Sequence, residues 1–168
     1  MAWKTLDPES WQTAPIATFG EGLLLTASCG AAHNTMTVAW GALGVFWGKP
    51  VVLFGIRPSR FTFRLAEEGE AVSLAILPRV HRAALTYCGT HSGGGGEKVA
   101  AAGLTAVTMP DGGYGFWEAD TVISARTVYS TPLQKEGFRT PCELQRWYKD
   151  GDLHVLYAAE ILNIYTKI

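Results

Sequence analysis

The sequence has few charged residues, few cysteines and no cluster of histidines, and each shortage narrows the possible functions. Charged residues make up 17% of the 168 residues, and the formal net charge is −1 without any basic run. A nucleic-acid-binding surface needs a basic excess and is therefore not expected. The three cysteines, Cys29, Cys88 and Cys142, are widely separated and form no C-x-x-C pair. We predict neither a disulfide framework nor a metal site.

Long uninterrupted hydrophobic runs are missing as well. Residues 22–48 carry little charge, but threonine, serine, histidine and asparagine recur among them, which is typical of strands and not of a membrane-spanning helix. The first residues contain no apolar segment of the kind found in secretory signals. We therefore expect a cytoplasmic protein that does not contact a membrane.

The hydrophobic content of 48% is sufficient for one folded domain. We predict that residues 1–168 form this single domain and that enough apolar surface remains for an oligomer interface. Residues 1–15 show no clear periodicity and are expected to form an N-terminal arm laid across the domain.

Short segments typical of β-strands follow one another along most of the chain. Lys149-Asp150-Gly151-Asp152 indicates a hairpin turn between two of them. Helical spacing predicts helices over 60–68, 79–88 and 99–103. The predicted strands are 22–29, 34–41, 51–56, 71–77, 104–109, 114–118, 121–129, 144–148, 153–157 and 158–165. This pattern predicts a mainly β barrel or sandwich.

The segment Arg57-Pro58-Ser59-Arg60-Phe61-Thr62 has the composition of an anion-binding turn. Pro58 favours an extended Arg57, and Ser59 is a suitable N-cap for a helix that begins at Arg60. The free N–H groups of a helix's first turn favour phosphate, and the arginine and threonine side chains add charge and hydroxyl donors. The same residues also fit a simple capped helix with solvated arginines.

A second candidate anion site lies in residues 88–98, where small polar residues surround four consecutive glycines. Glycines let backbone amides approach a ligand closely, and Thr90, Ser92 and Lys98 have side chains suited to a phosphate. The segment is not a P-loop, because Val99 and not a hydroxyl residue follows the lysine. A surface loop with a solvated lysine is the alternative interpretation.

The sequence contains none of the motifs that would place the chemistry on a side chain. There is no H-E-x-x-H pair, no G-x-S-x-G elbow and no G-x-G-x-x-G fingerprint after a predicted strand. Two candidate anion loops with few acid or base groups suit a protein whose bound cofactor performs the reaction. We predict no catalytic side chain.

Four ordered motifs nevertheless form a recognisable set. They are Asn34-x-Met36-Thr37-x-x-Trp40-Gly41, Lys49-Pro50, Arg57-Pro58-Ser59-Arg60-Phe61-Thr62, and Tyr87-Cys88-Gly89-Thr90-His91-Ser92-Gly93 with Lys98 and Ala101-Ala102-Gly103-Leu104. In this order and at these separations they resemble the flavin reductase-like, FMN-binding split-barrel family, and its flavoredoxin-type branch in particular. The resemblance extends from about Leu24 to Leu162.

The resemblance implies a mainly β fold, a six-stranded split β-barrel of the Greek-key type with a few short helices. It also implies a homodimer with one FMN per protomer near the dimer interface. The residues carried over by motif form three groups. The isoalloxazine group is Asn34, Thr35, Met36, Thr37, Val38, Ala39 and Trp40, the phosphate group is Arg57, Ser59, Arg60 and Thr62, and the closing group is Cys88, Gly89, Thr90, His91, Ser92 and Lys98.

This chain departs from the family pattern at one place. Family members usually continue the His-Ser-Gly sequence with Arg and Asp before the lysine, whereas this chain has Gly94-Gly95-Gly96-Glu97. One charged contact with the phosphate is therefore lost.

The resemblance implies an NAD(P)H:flavin oxidoreductase, in which a hydride passes from nicotinamide C4 to flavin N5 and the electrons continue to flavin, a metal complex or a redox partner protein. Either NADH or NADPH is compatible with the sequence. Two alternatives stay open. One is a flavoredoxin-like electron carrier with tightly bound FMN and no NAD(P)H turnover of its own, and the other is an FMN-binding module without redox turnover.

Overall fold

The computed structural model describes residues 3–93 and 97–168, and most of them lie in strands. The strands are β1 (Trp3–Leu6), β2 (Leu23–Cys29), β3 (Ala32–Val38), β4 (Gly41–Phe46), β5 (Lys49–Ile56), β6 (Ala71–Ile76), β7 (Ala106–Thr108), β8 (Tyr114–Phe116), β9 (Thr121–Pro132) and β10 (Val155–Lys167). The helices are α1 (Pro15–Glu21), α2 (Phe61–Glu68), α3 (Arg82–Thr90), α4 (Glu97–Ala101) and α5 (Pro141–Trp147), with 3-10 turns at Arg79–His81 and Lys135–Gly137.

One antiparallel sheet holds eight of these strands. Its order is β3-β2-β6-β9-β10-β5-β4, with β1 paired to the end of β10, and β7 and β8 form a separate hairpin. The long strand β10 pairs with β5 through Val155–Glu160 and with β1 through Ile164–Lys167. Two register shifts between β10 and β9 are the kind of irregularity that bends a sheet. The prediction of a mainly β fold is confirmed, although the sheet has eight strands instead of six.

The two ends of this strand order, β3 and β4, are consecutive in the sequence but do not pair with each other. The sheet is therefore split between β3 on one side and the β4–β5 hairpin on the other. Helices α2 and α3 pack against β3 beside this opening. The split is where a ligand can reach the edge of the sheet.

Two hydrophobic cores lie on opposite faces of the sheet. Strand β2 contributes to both, because Leu23 and Leu25 belong to one core and Leu24 to the other. This alternation is the two-residue period of a strand that is buried on both faces. Val52, Phe54 and Ile56 of β5 join the first core, whereas Leu85, Cys88 and Val99 from the helices join the second.

Three predictions of secondary structure were wrong. The predicted hairpin at Lys149–Asp152 does not form, because residues 141–147 are the helix α5, which begins with Pro141 in its first turn. The two predicted strands after this turn are one strand, β10. The helix that was expected to end at Cys88 continues through Gly89 to Thr90. Gly89 permits close packing instead of capping, since a Cβ there would lie 3.3 Å from Thr37 Cβ.

Three elements in the first 46 residues were not predicted from the sequence. Within the predicted arm, β1 pairs in the sheet and α1 begins at Pro15. Strand β4 occupies residues 41–46, of which the sequence analysis placed only Gly41 in a strand, the predicted 34–41. In the described ranges no helix is long and apolar enough to cross a membrane.

Candidate functional site

Two neighbouring cavities open along the split in the sheet, and Met36 of β3 lines both. The first, which we call the anion cavity, has a volume of about 90 Å³. The second, which we call the tryptophan cavity, has a volume of about 230 Å³. The anion cavity is lined by Asn34, Met36, Ser59, Arg60, Phe61, Thr62, Thr90, His91, Ser92, Gly93 and Lys98. The tryptophan cavity is lined by Met36, Thr37, Val38, Ala39, Trp40, Gly55, Arg57, Trp147 and His154.

The N-terminus of α2 forms one wall of the anion cavity. Arg60 is the N-cap residue, and no side chain accepts a hydrogen bond from the first turn of the helix. The prediction that Ser59 caps this helix was wrong, because the Ser59 hydroxyl donates to Asp152 Oδ2 at 2.5 Å. An uncapped first turn leaves backbone N–H groups and the positive end of the helix dipole directed at the cavity.

Lys98 is the buried cation of the anion cavity. The residue is 8% exposed, and its Nζ atom donates a hydrogen bond to the Thr35 carbonyl oxygen at 2.8 Å. Burial lowers the pKa of Lys98, the thiol of Cys88 opposes this, and Arg60 lowers the pKa further. No carboxylate of the described residues forms an ion pair with Lys98. A buried ammonium group without a counter-ion is unfavourable, so an anion in this cavity would stabilise it.

Two hydrogen bonds and one glycine fix the shape of the anion cavity. Asn34 Nδ2 donates to Thr62 Oγ1 at 2.7 Å, and Arg60 Nη2 donates to the Gly89 carbonyl at 2.6 Å. The second bond ties the start of α2 to the last turn of α3. A Cβ on Gly93 would lie 2.5 Å from Lys98 Cδ and 3.2 Å from Asn34 Oδ1. Residue 93 must therefore be small for Lys98 to occupy its position.

The tryptophan cavity lies between β3 and the end of β5. Strand β3 pairs with β2 alone among the described strands, so the backbone of its other edge is not used by the sheet. The Trp40 ring is half exposed and packs edge-on against Trp147, with ring centres 4.9 Å apart. The centres of the His154 and Trp40 rings are 5.0 Å apart. A Cβ on Gly55 would lie 3.1 Å from Cδ2 of His154. These features make a slot with aromatic walls and an unpaired strand edge.

The segment from α5 to β10 covers the tryptophan cavity and is bonded to Arg57. Arg57 Nη2 donates to the Trp147 carbonyl at 2.8 Å, and Nη1 donates to the Asp152 carbonyl at 3.3 Å. The Tyr148 hydroxyl lies 2.9 Å from His154 Nδ1. Burial, together with the nearby Arg57, lowers the pKa of His154 to about 4. The imidazole is therefore neutral near pH 7, where it offers hydrogen bonds but no charge.

The structure distributes the seventeen predicted site residues over three places. Nine line the anion cavity: Asn34, Met36, Ser59, Arg60, Thr62, Thr90, His91, Ser92 and Lys98. Six line the tryptophan cavity, with Met36 common to both: Met36, Thr37, Val38, Ala39, Trp40 and Arg57. Thr35, Cys88 and Gly89 line neither. Arg57 thus lies apart from the other residues that were expected at the phosphate.

Sequence analysis did not identify the residues that the C-terminal part of the chain brings to the site. Trp147 and His154 line the tryptophan cavity, while Asp152 holds Ser59 beside the anion cavity. Their one signal was the turn motif at 149–152, which was interpreted as a hairpin. Gly94–Gly96 lie outside the described residues. In the described part of the chain no group of three or more His, Cys, Asp and Glu side chains is arranged to hold a metal ion.

Comparison with known proteins identifies the class. The family model described as the flavin reductase like domain matches residues 17–167. The chain therefore belongs to the flavin reductase-like domain family, a class of flavin-binding redox proteins. No curated protein matches the sequence significantly.

Solved structures of low sequence identity share the fold. An FMN-binding domain of a flavin reductases-like enzyme from Shewanella baltica OS155 is 12% identical, with a TM-score of 0.68 over 98% of this chain and 77% of that one. Flavoredoxin of Desulfovibrio vulgaris (Miyazaki F) is 18% identical, with a TM-score of 0.66 over 87% and 69%. An NADH:FAD oxidoreductase of Streptomyces globisporus C-1027 is 12% identical, with a TM-score of 0.66 over 87% and 74%. The predicted split-barrel fold is confirmed.

Proposed function

We propose that the protein binds one FMN per chain, with the phosphate in the anion cavity and the isoalloxazine ring in the tryptophan cavity. The observation that carries this proposal is the position of Met36, which joins a small cationic cavity to a larger aromatic one. FMN likewise joins a small anionic phosphate to a larger aromatic ring, so each part of the ligand matches one of the two cavities. Membership of the flavin reductase-like family supports the proposal independently.

At the phosphate end, charge and hydrogen bonding both suit a dianion. Lys98 is buried without a carboxylate partner in the described structure, and α2 presents an uncapped first turn. The hydroxyls of Thr62, Thr90 and Ser92 line the same cavity. Phosphate bound here would satisfy the helix amides and offset the cost of burying the ammonium group.

At the ring end, the free edge of β3 offers backbone N–H and C=O groups to the polar rim of the isoalloxazine. Trp40 and Trp147 provide apolar contact surface beside it. The Thr37 hydroxyl donates to the Leu85 carbonyl at 2.6 Å, so it could accept a hydrogen bond from the ring but not donate one. Backbone N–H groups of residues 36–39, and not the Thr37 side chain, are therefore the proposed donors to the ring.

We propose that the reaction is the oxidation of NADH or NADPH by the bound flavin, which supplies the redox chemistry by accepting a hydride at N5. The residues of this chain bind and orient the rings and keep water from them, since a hydride transfer needs no side-chain acid. His154 faces the tryptophan cavity in its neutral form and would donate or accept a hydrogen bond there without adding charge. NADH and NADPH are both present in the cytoplasm, and we propose that the protein is located there.

A flavoredoxin-like electron carrier is the second candidate, and the covering segment favours it. Trp147 and His154 already line one side of the tryptophan cavity. Arg57 holds the Trp147 carbonyl by a hydrogen bond, and the Tyr148 hydroxyl lies within hydrogen-bond distance of His154. We infer from this cover that a nicotinamide ring could stack on the flavin only if the segment moves. In this alternative a redox partner protein reduces the FMN, and the protein does not oxidise NAD(P)H itself.

Steady-state oxidation of NADH and of NADPH, measured with FMN present, separates the two candidates. Turnover well above a protein-free control supports the reductase. Bound FMN that dithionite reduces, but that neither nicotinamide reduces, supports the carrier. FMN that cannot be reduced and reoxidised while bound would contradict both candidates and leave a binding module.

We also propose that the chain forms a homodimer through the end of the β4–β5 hairpin. Val45 is 75% exposed and Trp47 57% exposed, and Phe46 and Tyr129 are exposed beside them. Trp47 has a φ of 52°, an unfavourable value for a bulky residue. Apolar side chains grouped on an edge hairpin are typical of an interface.

Light scattering of the purified protein tests this proposal. The wild type is expected at twice the chain mass and the Trp47→Glu variant at the chain mass. Val80→Glu changes a more exposed apolar residue on the turn before α3 and serves as the control. A monomeric wild type would contradict the proposed dimer.

A further inference from the structure

The covering segment belongs to an excursion of the chain between two strands that pair with each other. Residues 133–154 leave the sheet after β9 and return to it at β10, where Pro132 lies opposite Val155. A hydrogen bond of 2.9 Å from the Leu133 N–H to the His154 carbonyl closes the base of this excursion. Both of its ends are therefore fixed at one place on the sheet. The part between them can move as a unit without a change in strand pairing.

Little apolar burial holds this excursion against the rest of the domain. All of residues 133–154 are described, and Tyr148 is the one buried residue among them. Within this described range, α5 has no buried residue, and its Trp147 is 40% exposed. Segments with few buried apolar contacts open at a lower free-energy cost than the whole domain. The position of the covering segment therefore depends on a small number of polar bonds.

Three hydrogen bonds from the turn between β5 and α2 end on Asp152. The Asp152 carboxylate accepts from the Ser59 hydroxyl at 2.5 Å and from the Ser59 N–H at 3.4 Å, and the Asp152 carbonyl accepts from Arg57 Nη1 at 3.3 Å. A fourth bond joins Arg57 to the Trp147 carbonyl. Asp152 is therefore the main point at which the covering segment is attached to this turn.

Ser59 connects that attachment to the anion cavity, which it lines. Ser59 has one hydroxyl hydrogen and one backbone N–H to donate, and Asp152 accepts both of them. A phosphate in the anion cavity could use either donor only by displacing the carboxylate. The two anions also repel each other at this distance. Phosphate and Asp152 are therefore competing partners of Ser59.

We propose that Asp152 is a positioning residue that couples occupation of the anion cavity to the covering segment. When the phosphate of FMN takes the Ser59 donors, Asp152 loses two of its three bonds to the turn, and the covering segment moves away from the tryptophan cavity. The phosphate thereby opens the space in which a second ring can stack on the flavin. This inference rests on the proposed function, because it requires the phosphate in the anion cavity. Such coupling is reciprocal, so release of the covering segment also tightens phosphate binding.

Hydrogen–deuterium exchange of the α5 amides, measured with saturating FMN and with saturating riboflavin, tests this coupling. The two ligands share the ring and differ in the phosphate. In the wild type these amides are expected to exchange about fivefold faster with FMN than with riboflavin. In Asp152→Ala the link to Ser59 is absent with either ligand, so both rates are expected to match that of the wild type with FMN. Asp150→Ala removes an exposed carboxylate near Asp152 and is expected to behave as the wild type does.

Two results would overturn the coupling and leave the proposed function intact. Exchange in the wild type that is equal or slower with FMN than with riboflavin would show that the phosphate does not release the covering segment. A fivefold difference that persists in Asp152→Ala would show that the release does not pass through Asp152. Exchange is the deciding measurement, because FMN affinity also responds to the charge of Asp152 alone. If neither flavin binds, the proposed function fails together with this inference.

Discussion

Replacement of Lys98 by methionine is predicted to weaken FMN binding and to leave riboflavin binding unchanged. Lys98 is the buried cation of the anion cavity, and among the described residues the only hydrogen-bond partner of its ammonium group is the Thr35 carbonyl. Methionine has a similar length and suits a buried position, but it cannot donate to a phosphate. Riboflavin lacks the phosphate, so the Lys98 charge has nothing to bind in that ligand.

The size of the effect follows from the kind of bond that is lost. A charge-assisted hydrogen bond contributes about 1.5–3 kcal/mol, which corresponds to a loss of about 10- to 150-fold in FMN affinity. Binding is not abolished, because Arg60 and the first turn of α2 remain. The free energy of unfolding of the apoprotein is expected to change by less than about 1 kcal/mol, since the lost bond to Thr35 is offset by the removal of a buried charge.

Fluorescence titrations of wild type and Lys98→Met with both flavins give the four affinities that are needed. Lys135→Met, which changes an exposed lysine in a 3-10 turn, is the matched control and is expected to bind both flavins as the wild type does. Thermal unfolding verifies that each variant is folded. The reasoning is refuted if Lys98→Met binds FMN as tightly as the wild type, or if it loses equal affinity for both flavins.

Three further predictions concern the shape, charge and pH dependence of the site. Gly93→Ala is expected to weaken FMN binding about tenfold, because its Cβ displaces Lys98. Gly137→Ala is the control, since its Cβ has open space, and should bind FMN as the wild type does. Equal FMN affinities of Gly93→Ala and the wild type in titrations would contradict this prediction. Asp152→Asn removes the negative charge that is bonded to Ser59 beside the anion cavity and that would repel a phosphate. FMN affinity measured by the same titrations should therefore rise about two- to fivefold. A fall in FMN affinity would contradict this prediction. His154 has a folded pKa of about 4, below its ordinary 6.5, so the unfolded chain binds more protons between these values. The free energy of unfolding should therefore fall by about 2 kcal/mol, allowing for partial exposure, from pH 7 to pH 4.5. Urea unfolding should show a smaller fall in His154→Gln, and an identical fall would refute the assignment.

The anion cavity could be predicted from the sequence because its residues belong to two short motifs. Residues 59–62 and 90–98 each carry hydroxyl and cationic side chains around a turn, and each has the composition of an anion site by itself. The structure brings both segments to one cavity. Their detailed roles were less accessible, because Ser59 has the local sequence of an N-cap but bonds to Asp152, 93 residues away.

The covering segment could not be predicted because its position depends on distant contacts. The run Leu144–Tyr148 was predicted as a strand because the turn motif at 149–152 follows it, yet Pro141 in the first turn and the bond from Trp147 Nε1 to Glu143 stabilise a helix. Nothing local links this segment to Trp40, which lies more than a hundred residues earlier. Strand β4 had no alternation because almost all its residues are exposed.

The measurement that tests the central claim most directly is an equilibrium titration of the apoprotein with FMN, followed by gel filtration and a visible absorption spectrum. We predict flavin bands that elute with the protein at one FMN per chain, with tighter binding of FMN than of riboflavin. An Arg60→Ala, Thr62→Ala double variant should retain less FMN, because both residues line the anion cavity. The absence of saturable FMN binding, or equal affinity for FMN and riboflavin, would contradict the assignment of the two cavities.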